Sequence, residues 1–210
     1  MGSQSPSVTS SLPSEVALTT QVVGTTATPA KTLELPILPL TPEAFAPFGK
    51  VIEAYVDHAA APKGVKITPA NFGTASKFHK LSLLESNYPD KSAATAGLSV
   101  YHCHPTSSFQ LTHMERHAHT NQAFIPMGSS GRGYLVVVAQ TGDDDKPDTK
   151  TLRAFKATTS QGIVYNRALW HQPMTVLDEM DFTCVETQIG DGSQADCEII
   201  ELKTPVDLKL

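Results

Sequence analysis

The chain has 210 residues, a formal net charge of −5 and three cysteines. That length suits one domain with a full core. The charge offers no basic field for nucleic acid or anionic membrane, and no apolar run approaches the roughly 20 residues that cross a bilayer.

Residues 1–32 are rich in Ser, Thr and Pro, bury too little apolar surface to offset their ordering entropy, and are predicted to form a disordered tail. They lack the apolar segment of a secretory signal, and the C-terminal DLKL is not a peroxisomal Ser-Lys-Leu signal. Cys103, Cys184 and Cys197 are too scattered for a disulfide framework and form no CxxC zinc pair. A reducing, cytoplasmic setting is expected.

A single domain is predicted over residues 33–210. It opens with ELPILPL, whose alternating prolines read as an edge strand. TPEAFAPFG reads as a short helix: Thr41 caps, Pro42 takes the first position, Glu43 complements the dipole and Gly49 permits the exit. VIEAYV (51–56) is predicted as a strand and residues 57–69 as a Pro/Gly/Ala loop. From Phe78 onward short strands alternate with turns: LSVYHCH, LTHMERHAH, AFIPM, YLVVVAQ, TLRAFKA, GIVYN, MDFTCVETQ and CEIIEL. The pattern predicts an all-β sandwich or barrel, with one or two short helices near its N-terminus. The run Asp143, Asp144, Asp145 reads as a solvated hairpin turn rather than a calcium loop.

The segment carrying chemistry is His113 to His119. In a strand, His113, Glu115, His117 and His119 would share one face, with Met114, Arg116 and Ala118 opposite. Imidazoles beside a carboxylate make a poor core surface; they suit a divalent metal or an acid–base cluster. Gln122 follows, and much later comes GIVYNRALWHQP, which contains His171.

This arrangement resembles metal-binding cupins, in which ligands two residues apart precede a third ahead of a glycine, and a distant histidine completes the set. The resemblance puts Glu115, His117, Gln122 and His171 on the ligand positions and implies a cupin-like β-barrel or jelly roll. Glutamate and glutamine stand here where the usual pattern has histidine and glutamate. Nickel, zinc, iron or manganese would suit such a set, and no organic cofactor is expected. At finer grain LPLTPEAFAPFGKVIE, NFGTASKFHKL, MERHAHTNQAFIPMG, YLVVVAQTGDDDKPDTKTLRAF and GIVYNRALWHQPM, in that order, resemble the ureidoglycolate lyase family. The resemblance implies cleavage of (S)-ureidoglycolate to glyoxylate and urea in allantoin and purine degradation, usually by a homodimer.

Such a reaction needs an anchor for the substrate carboxylate, a base and an acid. Glu115, His117 and His171 are the expected catalytic residues. Lys77 and Arg167 are the candidate anchors; Tyr165 and Asn166 would orient the substrate, and Trp170 would form an apolar wall. An amidohydrolase releasing ammonia from the same substrate and another metal-dependent cupin enzyme are the alternatives, the former lacking a Ser or Cys nucleophile constellation. A barrel that merely binds a ligand is a third.

Overall fold

A computed structural model describes residues 33–90, 93–128 and 130–210; the tail expected over 1–32 lies outside the described residues. The strands run in chain order: β1 Leu33–Pro39, β2 Gly49–Ile52, β3 Lys66–Ala70, β4 Ala75–His79, β5 Thr95–Cys103, β6 Gln110–Arg116 and β7 Gln122–Pro126. They continue with β8 Tyr134–Ala139, β9 Arg153–Ala157, β10 Gly162–Tyr165, β11 Trp170–His171, β12 Thr175–Val176, β13 Met180–Gln188 and β14 Glu198–Lys209. One short α-helix, α1, spans Pro42–Phe45. Among the described residues no helix is long and apolar enough to cross a membrane.

The larger sheet has the order β11-β6-β14-β1-β9-β8-β12, and β11 also pairs with β8, which closes six strands into a ring. A second sheet, β2-β10-β7-β13-β5, packs against it, and β3 with β4 forms a separate hairpin. The fold is all-β and cupin-like. β8 explains how the layers hold together, because all six of its residues are buried. Tyr134, Val136 and Val138 face the core shared with Phe124, Ile163 and Phe182 of the second sheet. Leu135, Val137 and Ala139 face the ring interior with Leu111, Met114 and Trp170. A strand covered on both faces reads as a continuous apolar run, as YLVVVA does.

The structure corrects several local expectations. β1 is not an edge: its first half pairs in parallel with β14 and its second half with β9. Each half is bonded on one side only, which is how a strand containing Pro36 and Pro39 sits inside a ring. Thr41 does cap α1, its hydroxyl accepting from the Ala44 amide at 3.2 Å, but Gly49 begins β2 rather than ending the helix. A Cβ there would meet the Val164 carbonyl oxygen at 2.0 Å, so close backbone approach is what requires glycine. β2 stops at Ile52, short of the predicted Val56, and part of the predicted loop is strand, Lys66–Ala70 pairing with β4.

The most consequential correction concerns β6. Leu111 and Met114 are both buried in the ring, although residues three apart cannot share a face of a regular strand. The phase break coincides with a register shift between Glu201 and Val206 of the partner β14. The break lies between Leu111 and His113, so His113 keeps the strand phase of Glu115, but it is exposed. The strand ends at Arg116, so His119 belongs to the following turn and sits against the Tyr88 ring, with centroids 4.9 Å apart. Of the predicted four-residue polar face, Glu115 and His117 remain together.

Candidate active site

Strand pairing assembles the site. Glu115 on β6 and His171 on β11 are direct cross-strand partners, so their side chains meet on one face. His171 Nε2 lies 3.5 Å from Glu115 Oε1. His117, just past the end of β6, stacks its ring on that of His171 with centroids 5.5 Å apart. One donor atom from each of Glu115, His117 and His171 lies within 4.8 Å of the others.

The imidazoles are held in matching tautomers. His117 Nδ1 donates to the Asp196 carbonyl at 2.8 Å, and His171 Nδ1 donates to the Leu169 carbonyl at 2.9 Å. In its neutral form each ring so held carries its lone pair on Nε2. Both Nε2 atoms are buried without a hydrogen-bond partner. The supports are rigid: Tyr165 stacks on His171 at 4.1 Å and 17°, and the Asp196 carboxylate accepts from Ile189 N, Gly190 N and Tyr88 Oη at 2.6–2.8 Å. Those three bonds pin the loop whose carbonyl orients His117.

A second carboxylate stands behind His117. Glu186 of β13 has its Oε2 3.5 Å from His117 Nδ1 and accepts from Gln122 Nε2 at 3.1 Å. Gln122 Oε1 is buried with no partner. Glu115, His117 and Glu186 border a cavity of about 340 Å³ lined also by Tyr101, Phe124, Met174, Cys197 and Asp196.

Burial sets much of the electrostatics. Desolvation, with His171 beside it, pushes His117 down to about 4, so this imidazole is neutral at pH 7. Burial alone would raise the Glu115 carboxyl, but the adjoining His171, with His117 and the Cys197 thiol, brings it below the usual range. Glu186 goes the other way, raised chiefly by burial. Burial likewise pushes the Cys197 thiol up to about 12, which makes it a poor nucleophile at neutral pH.

Of the residues expected from sequence, Glu115, His117 and His171 are together, and Gln122 joins them through Glu186. The others are placed elsewhere. Lys77 lies exposed in the β3–β4 hairpin, opposite Thr68. Arg167 is exposed and donates to the Ala118 carbonyl at 3.2 Å. Asn166 is exposed beside Pro47. Tyr165 is buried and supports His171 rather than lining the cavity. Trp170 is fully buried in the ring interior, under the Arg116 guanidinium at 4.6 Å; being next to His171 in a two-residue strand, it points to the opposite face. Glu186 escaped the sequence reading. Its signal was the alternation Met180, Phe182, Cys184, Glu186, which puts a carboxylate on an otherwise apolar inward face.

Two buried imidazole lone pairs without partners, beside an ionised carboxylate, are a donor set that fits a divalent first-row metal. His117 and His171 would hold it through Nε2, with Glu115 Oε1 as third donor.

Comparison with known proteins adds an independent line. A family model described as ureidoglycolate lyase matches residues 32–209. Among curated relatives, a ureidoglycolate lyase of Schizosaccharomyces pombe is 33% identical over 182 residues, covering 80% of this chain and 92% of the relative. One from Burkholderia mallei is 37% identical over 159 residues, covering 75% and 84%. Another, from Pseudomonas savastanoi pv. phaseolicola, is 34% identical over 164 residues, covering 78% and 88%.

Proposed function

The chain belongs to the ureidoglycolate lyase family, and from that premise we propose that Glu115, His117 and His171 carry the cleavage of (S)-ureidoglycolate to glyoxylate and urea. The observation that best supports this assignment is the convergence of one carboxylate with two buried imidazole Nε2 atoms that make no hydrogen bond, beside a cavity that Glu115 and His117 line.

In ureidoglycolate one carbon bears the hydroxyl, the carboxylate and a urea nitrogen. Cleavage breaks the C–N bond while the C–O bond becomes the glyoxylate carbonyl. The hydroxyl loses one proton and the urea nitrogen gains one, so the proton count balances within the substrate. A single base beside the reacting carbon suffices, because oxygen and nitrogen are on the same carbon and both within its reach. We assign that transfer to Glu115 Oε2, the oxygen directed to Cys197 Sγ at 3.9 Å, while Oε1 faces His171. Phe124, Met174 and Pro173 line the cavity with apolar surface that limits competing water.

The substrate is an anion, yet the cavity lining includes Glu115, Glu186 and Asp196 and no lysine or arginine among the described residues. A divalent ion held by His117, His171 and Glu115 would supply the missing positive charge and polarise the substrate hydroxyl. Nickel, zinc, iron and manganese all suit these donors. Dialysis against a chelator is expected to lower turnover at least tenfold, with recovery on adding back a divalent ion. Undiminished turnover under chelation would remove the ion from this reading.

A homodimer and a cytoplasmic location complete the proposal. β5 is an edge strand of the second sheet, open to extension by another copy, and the three cysteines are free thiols. The reaction itself is tested by its products. Purified protein given ureidoglycolate should release urea and glyoxylate in equal amounts; ammonia rising in step with glyoxylate, without urea, would sink the lyase assignment.

A further inference from the structure

A second group of metal-type donors lies on the outer face of the β5–β13 pair. Along β5, Tyr101 and Cys103 line the central cavity, so His102 projects from the opposite face of the strand. His104, one residue beyond the strand end, follows it on that outer side. Asp181 of β13 is the direct cross-strand partner of His102, and Glu179 precedes β13 by one residue. Strand register pairs His102 with Asp181, and His104 and Glu179 flank that pair just beyond the strand ends.

The distances match a metal site. His104 Nδ1 lies 3.4 Å from Glu179 Oε2, and His102 Nε2 lies 3.9 Å from Glu179 Oε1. Donors about 2.0–2.1 Å from a tetrahedral zinc ion are roughly 3.3 Å from each other, so movements of about an ångström in exposed side chains would close the set. The two imidazole rings meet edge to face, with centroids 4.8 Å apart. One donor atom from each of His102, His104 and Glu179 already falls within 4.8 Å of the others. His102 Nδ1 is meanwhile 2.6 Å from Asp181 Oδ1. That contact fixes the tautomer that leaves the Nε2 lone pair for a metal, the carboxylate–histidine arrangement common behind metal ligands. Alongside lies a pocket of about 170 Å³ lined by Met127, Gly128, Ser130, Glu179 and Asp181, with room for a water as fourth ligand.

We propose that His102, His104 and Glu179 form a peripheral site for a borderline divalent metal ion such as zinc, with Asp181 orienting His102, separate from the central Glu115, His117 and His171 group. An ion there would tie the segment after β5 to the start of β13 at the strand end.

The test is a zinc count on the full chain. Equilibrium dialysis against zinc chloride, read by elemental analysis, should show the His102→Ala/His104→Ala variant binding one equivalent fewer than wild type. His117→Ala/His171→Ala should retain that equivalent. Asp181→Asn should hold it about tenfold more weakly. The first variant should keep wild-type lyase turnover, since none of its changes touches the central cavity. Equal zinc content in wild type and His102→Ala/His104→Ala would overturn the proposal, as would loss of every equivalent from His117→Ala/His171→Ala. Unchanged affinity in Asp181→Asn would overturn the orienting role of that carboxylate.

Discussion

Replacing Glu115 by glutamine is expected to lower kcat about 100-fold or more, the scale of losing a positioned base. The exchange preserves side-chain volume and leaves the β6–β11 pairing untouched, so the melting temperature should move little. His171→Ala should fall into the same range, because His171 is the cross-strand partner of Glu115 and lies 3.5 Å from it. The double variant should be scarcely worse than either single one, since the two residues act as a unit. Steady-state rates on folded protein, with near-UV circular dichroism as the check on packing, decide the matter. Turnover within twofold of wild type in Glu115→Gln would remove this carboxylate from the chemistry.

What the sequence made legible, and what it hid, follows from the range of each physical signal. Strand alternation is local, and the strands with the cleanest period or longest apolar run, β13 and β8, fall where the pattern puts them. The Glu115 and His117 pair was legible for the same reason, as polar residues two apart in a barrel-forming stretch. The phase break in β6 was not, because it depends on a bulge in β14, about 90 residues downstream. Trp170 adjoins His171 in sequence but not in space, because a strand sends neighbouring side chains to opposite faces. Arg167 stands in the turn just ahead of His171 and Lys77 in the family-like SKFHKL segment, but charge and position in sequence do not reveal which surface a loop presents. Glu186 and Asp196 show the opposite failure. Glu186 leaves a local trace, as a carboxylate on the apolar face of β13, but the meeting of either residue with His117 across the fold leaves none.

Removing Arg116 should cost about 2–3 kcal/mol of stability, below the scale of a fully buried ion pair because Asp145 is open to solvent, with lost packing included. Arg116 leaves the β6 face opposite Glu115 and is nearly sealed, its side chain 10% exposed. Its Nε donates to Glu198 Oε2 at 2.8 Å, and its two terminal nitrogens fork onto Asp145 at 2.7 and 2.6 Å. The guanidinium also covers the Trp170 ring at 4.6 Å. One side chain thus ties β6 to β14 and to the aspartate-rich turn, which is anchored at Asp145 rather than wholly solvated. Arg116→Ala would leave Glu198 without its main partner and open the ring core at Trp170; Arg116→Lys, which cannot form the fork, should lose part of this. The pH dependence has a definite sign. Hydrogen bonds from Arg116 hold the Asp145 carboxyl below its ordinary range, so its contribution is present above the unfolded value of about 4 and is lost as pH falls through the lower folded value. Urea unfolding should therefore show a wide gap between wild type and Arg116→Ala at pH 7 that narrows toward pH 3. A gap of constant width would assign the loss to packing on Trp170 alone, and identical midpoints at pH 7 would show that this network does not hold the barrel closed.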